Sequence, residues 1–193
     1  MTVQSVSKPD TPSVEAPITG ETFFKMGNLG PAELVKGAIK KMTPPGYEHG
    51  IIENNIGSLL RNFVREQNLG FVMSGETGIF TNRNPDTIRG MDVAFMSHER
   101  MAQVKSKSYL DVAPELIVEI MSPSDRWSET NDKLAEYFAI GVKLVWIVNP
   151  PRKEVHIYRA LTEIEILKAG ETLTGGQVLP GLSIPVADLF TLS

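Results

Sequence analysis

A chain of 193 residues, 41% hydrophobic and 22% charged, is long enough to close one hydrophobic core without covalent staples. It contains no cysteine, which excludes disulfides, a thiolate nucleophile and a Cys-ligated zinc site, so any metal must sit on oxygen or imidazole. The net charge of −4 argues against indiscriminate binding to polyphosphates, whose affinity comes mainly from Lys and Arg displacing counterions.

Residues 1–20 are rich in Ser, Thr, Pro and Val with no helical or strand period, and read as a flexible leader to a single domain over 21–193. They lack the basic start and apolar run of a secretory signal, and no later segment reaches membrane-spanning length. A cytoplasmic location without membrane contact is therefore expected. Phe23, Phe24 and Met26 predict a short helix; residues 33–42 read as strand, Gly-containing turn and strand, and Thr43-Pro44-Pro45-Gly46 then breaks the chain. Over 49–67, Ile52, Ile56, Leu59, Leu60, Phe63 and Val64 recur at spacings of three and four, which predicts a long amphipathic helix closed by Gly70.

Three strand-length stretches follow, 71–80, 88–96 and 115–121, each with β-branched or aromatic residues. A second helix is predicted over 129–140, stopped by Gly141. The nearly continuous apolar run 143–148, ended by Asn149-Pro150-Pro151, fits a strand covered on both faces. Residues 154–159 alternate like a half-exposed strand beside it, 164–167 add another, and Pro180-Gly181 marks a last turn. Trp127, Tyr137, Phe138 and Trp146 read as core anchors of the second helix and its strand. The order predicts an α/β fold, a central mixed sheet flanked by helices with strands added at both ends.

Two predicted strands each place one carboxylate among apolar neighbours: Asp92 in Met91-Asp92-Val93-Ala94-Phe95-Met96 and Glu119 in Leu116-Ile117-Val118-Glu119-Ile120-Met121. An ionised carboxylate in a low-dielectric sheet must be paired, hydrogen-bonded or metal-bound, or it takes up a proton. One acid on each of two neighbouring strands suggests a shared cation, and a hard ion such as Mg²⁺ or Mn²⁺ binds through one or two carboxylates plus waters and phosphate. The structural alternative has Asp92 capping a loop and Glu119 paired with a core arginine such as Arg89. No Gly-rich phosphate loop occurs, since Gly75-Glu76-Thr77-Gly78 lacks the following Lys and Ser or Thr.

The stretches Arg89-Gly90-Met91-Asp92-Val93-Ala94-Phe95, Ala113 to Arg126 with its Ser122-Pro123-Ser124-Asp125 loop, Lys133-Leu134-Ala135-Glu136-Tyr137 and Gly141-Val142-Lys143-Leu144-Val145-Trp146-Ile147-Val148-Asn149-Pro150 together resemble the Uma-type family of bacterial restriction-like endonucleases. The resemblance runs from about residue 22 to the end. It implies a restriction-endonuclease-like fold of the PD-(D/E)-x-K kind, in which Asp92 and Glu119 bind Mg²⁺ or Mn²⁺ and a lysine assists hydrolysis of DNA. Met91 stands where that signature has proline, and Met121 where it has lysine. The resemblance supplies Lys133 instead, fourteen residues beyond Glu119, and a helical side chain there can lean back toward the end of the strand. Glu129, four residues before Lys133, offers the alternative of an exposed helical ion pair.

Further expected neighbours of the site are Ser124 and Asp125, in a loop leaving a strand end, and His49 and Glu53, one turn apart at the start of the first long helix. Two functions follow: a metal-dependent endodeoxyribonuclease using Asp92, Glu119 and Lys133, or a nuclease-like scaffold that binds nucleic acid or protein without cutting. The apolar tail over 186–192 suggests a homodimer.

Overall fold

The computed structural model describes residues 16–27, 29–123 and 125–192. In chain order the elements begin with α1 (Gly20–Lys25), β1 (Ala32–Val35), β2 (Ala38–Lys41), α2 (Tyr47–Glu66), β3 (Gly70–Asn82) and β4 (Thr87–Ser97). They continue with α3 (His98–Met101), β5 (Leu116–Ile120), α4 (Trp127–Ala139), β6 (Leu144–Asn149) and, after a 3-10 turn at Pro150–Arg152, β7 (Glu154–Ala160). The last are β8 (Glu163–Lys168), β9 (Thr172–Gly175), β10 (Leu179–Pro185) and α5 (Val186–Leu189). No helix among the described residues is long and apolar enough to cross a membrane.

Eight of these strands form one mixed sheet in the order β2-β1-β4-β5-β6-β7-β8, with β3 paired to β4 off that path. Only β5 and β6 run parallel, because α4 carries the chain back between them; every other pairing is antiparallel. The Ile52, Ile56, Leu60 and Val64 stripe of α2 is at most 2% exposed and covers one face of the sheet with Val93, Phe95, Leu116 and Val118. Burying each such side chain stabilises by about 1.5–3 kcal/mol, so the stripe fixes α2 and with it the position of its first turn. On the other face Leu134 and Tyr137 of α4 pack on Ala94, Ile117, Val145 and Ile147.

The feature that opens a site is a fork. β3 pairs along one edge of β4 from Thr87 to Ser97, whereas the other edge is shared: β1 meets it at Ile88 and β5 at Val93 to Phe95. Residues 89–92 therefore have no ladder partner on that side, and side chains take the backbone groups instead. Gly90 N–H donates to Glu33 Oε1 at 3.3 Å, and Ile120 N–H donates to Asp92 Oδ2 at 2.6 Å.

Four expectations are corrected. Gly70 does not close α2: Asn68 makes the left-handed turn at φ 50, and Gly70 already begins β3. Pro180-Gly181 is not a terminal turn but lies inside β10, which pairs with β9 across an irregular register. The apolar tail is not a spare surface, since Val186 and Leu189 are fully buried with the α2 stripe and Asn55 Nδ2 holds Leu189 O and Thr191 O at 3.2 and 2.8 Å. The tail thus lends no support to a homodimer. Trp127 is no core anchor either, being 40% exposed and stacked on His156. Most of the expected leader, residues 1–15, lies outside the described residues, while Gly20 is already tied to the domain by its N–H on Asp86 Oδ2 at 2.7 Å.

Candidate active site

The fork and the walls beside it form a cleft of about 630 Å³ whose lining includes Glu33, His49, Glu76, Asp92, Glu119 and Lys133. Asp92 sits in β4, 5% exposed, where the alternation of the strand breaks: Val93 and Phe95 pack with α2, but Met91 and Ala94, three apart, both pack with α4. Carrying the Val93↔Val118 register one residue further sets Asp92 across from Glu119, at the point where the strands part. Beyond the Ile120 amide, Asp92 Oδ2 meets His49 Nε2 at 3.4 Å, and its Oδ1 has no hydrogen-bond partner among the described residues.

Glu119 is held at both oxygens. Lys133 Nζ donates to Oε2 at 2.9 Å and the Tyr137 hydroxyl donates to Oε1 at 2.7 Å, because residues four apart on α4 lie on one face of the helix. Lys133 Nζ also meets Glu33 Oε1 at 3.1 Å. Glu33 Oε2 in turn accepts from Arg89 Nη1 at 2.9 Å, and the other edge of Arg89 forms a two-point contact with Glu136 at 2.8 and 2.6 Å. Thr81 Oγ1 completes Glu136 at 2.7 Å. Charges therefore alternate along one connected line, Glu136, Arg89, Glu33, Lys133, Glu119, which ends beside Asp92.

The titration of these groups follows from that line. Burial pushes the Glu119 carboxyl up to about 7, with the charge of Asp92 adding and the charge of Lys133 and the hydrogen bond from the Tyr137 hydroxyl opposing. Lys133 moves the other way: burial alone would favour loss of its proton, but Glu119 and Glu33 outweigh it and hold the ammonium charged. Glu33 is likewise kept below the carboxylate range by Lys133 and Arg89 against the effect of its burial. For His49, burial disfavours the cation, yet the contact with Asp92 and the charges of Glu53 and Glu76 raise it. The Glu76 carboxyl is raised by desolvation and then by Asp92 and Glu33.

The cleft thus brings Asp92, Glu119, Lys133 and His49 together, and Asp125 lines its rim, where its Oδ2 takes the Ser122 amide at 2.7 Å. Ser124 lies outside the described residues. Glu53 stands behind the cleft: its Oε1 accepts the Gly75 N–H at 2.7 Å and so fastens a bulge in β3, where the register slips between Ser74 and Thr77 opposite Asp92. Gly75 and Glu76 both have positive φ there, 77 and 57, and the turn folds the Glu76 carboxylate over Gly90 so closely that a Cβ at residue 90 would collide with it. Neither structural alternative raised by the sequence occurs. Arg89 serves Glu33 and Glu136, not Glu119, and Glu129 pairs with Lys40 at 2.7 Å, not with Lys133.

Sequence reasoning missed Glu33, Glu76 and the hydroxyl of Tyr137. Glu33, flanked by Ala32 and Leu34 in a short strand, carries the same signature as Asp92, an acid among apolar residues. Among the described residues no three acid or imidazole side chains converge tightly enough to enclose an ion by themselves. The donor chemistry nevertheless fits a hard divalent ion completed by water and phosphate: acids gathered in one cleft, two of them pushed up, and an Asp92 oxygen without a partner.

A family model described as "Uma2: Putative restriction endonuclease" matches residues 21–187. No curated protein matches the chain. Among solved structures, one from Anabaena variabilis ATCC 29413, described as "a putative nuclease belonging to DUF820", superposes with a TM-score of 0.74 at 20% identity, over 90% of this chain and 98% of that one. At that identity the likeness is one of fold, and the fold is the restriction-endonuclease-like architecture expected from the sequence.

Proposed function

From the premise that the chain belongs to the Uma2 family, described as putative restriction endonucleases, we propose that it hydrolyses DNA phosphodiester bonds with Mg²⁺ or Mn²⁺ at the Asp92, Glu119 and Lys133 cleft. The observation that carries this reading is Glu119 held by a permanently charged Lys133 across from Asp92, in the same acid-lined cleft. Asp92 and Glu119 would supply oxygen ligands to the ion. Bound there, the ion would polarise a phosphoryl oxygen and lower the pKa of a water.

Lys133 cannot be the base, because Glu33 and Glu119 keep its ammonium protonated. Its role is to offset negative charge on the phosphate under attack and to orient the water. Tyr137 stays protonated well above its ordinary range and fixes the rotamer of Glu119. One observation favours the rival scaffold that binds without cutting: both Glu119 oxygens are already engaged.

Rates of oligonucleotide cleavage against pH and Mg²⁺ separate the two. Protonated Glu119 cannot hold an ion, so the rate should rise about tenfold per pH unit below about 7 and level off above it. Added Mg²⁺ competes with that proton and should move the midpoint to lower pH. A rate independent of the ion, or one that falls as pH rises through 7, contradicts the proposal.

A further inference from the structure

Hydrolysis at this cleft needs a group that takes a proton from the attacking water, and the residues assigned so far do not supply one. Asp92 and Glu119 are committed as ligands in that reading, and Lys133 keeps its own proton. Both oxygens of Glu33 are engaged, Oε1 by Lys133 and the Gly90 N–H, Oε2 by Arg89. His49 is no better placed: its Nε2 faces Asp92 Oδ2 at 3.4 Å, and its Nδ1 is buried.

Two acids of the lining keep both carboxylate oxygens free of hydrogen bonds and ion pairs among the described residues, Glu76 and Asp132. Asp132 is exposed on α4, one residue before Lys133 and so turned about 100° from the face that Lys133 presents. Glu76 lies in the β3 bulge opposite Asp92, where the register passes from Ser74↔Val93 to Thr77↔Met91.

Three features hold its carboxylate there, although the residue as a whole is exposed at the lip. Glu76 has φ 57, a left-handed conformation that a non-glycine residue keeps only where its surroundings impose it. Glu53 Oε1 on the Gly75 N–H at 2.7 Å and the Thr77 hydroxyl on Ser74 O at 3.1 Å impose it, one on each side of the turn. Gly90 makes the room: a Cβ at that position would collide with Glu76 Oε2, and its three nearest atoms would all belong to Glu76. Desolvation first, then the charges of Asp92 on β4 and Glu33 on β1 against those of Lys133 on α4 and His49 on α2, raise the affinity of this carboxylate for a proton.

We infer that Glu76 is a further catalytic residue of this cleft, the proton acceptor for the attacking water; this rests on the nuclease reading above. In that step one O–H bond of the water breaks as its oxygen bonds to phosphorus, and the proton passes to the Glu76 carboxylate. The breaking P–O bond leaves its electron pair on the sugar oxygen, which takes a proton from solvent. Because β3 and β5 lie on opposite edges of β4, a water beside Asp92 has Glu76 on one side and the Glu119–Lys133 pair on the other.

Single-turnover cleavage of a labelled DNA duplex at saturating Mg²⁺ tests this with the full chain. Glu76→Gln keeps the size of the side chain and should slow the reaction by about a hundredfold or more, the share of a general base. Gly90→Ala pushes the carboxylate aside with one methyl group and should slow it comparably, whereas Gly90→Ala added to Glu76→Gln should slow it no further. The Mg²⁺ affinity of Glu76→Gln by calorimetry and its thermal midpoint should stay at the wild-type values. A Glu76→Gln rate equal to that of the wild type, a parallel loss of Mg²⁺ affinity, or a Gly90→Ala penalty that persists in the double variant overturns the inference. If the wild type and Glu76→Gln cut equally well, only the inference falls; if the wild type cuts nothing, the nuclease reading falls with it.

Discussion

Replacing Lys133 by methionine should lower the cleavage rate by about a hundredfold to a thousandfold, the effect of removing one preorganised charge from a developing oxyanion. Methionine keeps most of the aliphatic stem that α4 packs, so the loss reports the ammonium. Two consequences distinguish this from removal of a structural ion pair. Without Lys133, burial and the Asp92 charge act on Glu119 with only the Tyr137 hydroxyl opposing, so its carboxyl should rise further above about 7 and the pH profile of cleavage should move upward. The ion should also bind more weakly, because a protonated carboxyl must give up its proton first. Calorimetric titration with Mg²⁺ on both proteins measures this without any turnover. A variant that loses stability but keeps the wild-type rate, pH profile and Mg²⁺ affinity would reduce Lys133 to a structural role.

The largest effect on stability is expected at Arg89. Its guanidinium, 8% exposed, is the sole cation on Glu136 among the described residues and shares Glu33 with Lys133. Arg89→Met leaves two carboxylates short of a partner, one of them 3% exposed, and breaking a buried pair from one side costs about 3–5 kcal/mol. At about 2–4 °C per kcal/mol for a domain of this size, the thermal midpoint should fall by about 10 °C. Arg159→Ala is the control: its contact with Glu165 is made between two side chains open to solvent, and its cost should stay under about 1 kcal/mol. Equal midpoints for the two variants would mean that the alternating line of charge does not hold the site.

Much of this arrangement can be read from the sequence, for identifiable reasons. The α2 stripe follows from its spacing, and Asp92 and Glu119 stand out because a carboxylate inside an apolar strand demands a partner. Lys133 came from resemblance, since nothing local separates a lysine that reaches back to the sheet from one paired with Glu129 on the surface. What decides it is Glu33, which β1 brings to Lys133 from far earlier in the chain, and no helical period reports that.

Tyr137 reads as core because its ring is core; only its hydroxyl reaches the cleft, at Glu119. Glu76 reaches the cleft through a bulge whose fastening by Glu53 is a contact between distant segments. The tail over 186–192 shows the limit of apolar pattern: it says that Val186 and Leu189 are covered, not whether by this chain or another. The β9 and β10 hairpin and α5 supply the answer by closing over α2.

Cleavage of plasmid DNA by wild-type protein and by Asp92→Asn, with and without Mg²⁺, reads whether Asp92 holds the ion that hydrolysis needs. The amide preserves the size of the side chain and can still accept the Ile120 N–H, so the variant should fold as the wild type does. Cleavage by the wild type should depend on Mg²⁺ and fall by at least about a hundredfold in the variant. Cleavage that persists in Asp92→Asn, or that proceeds equally in EDTA, would contradict that role of Asp92.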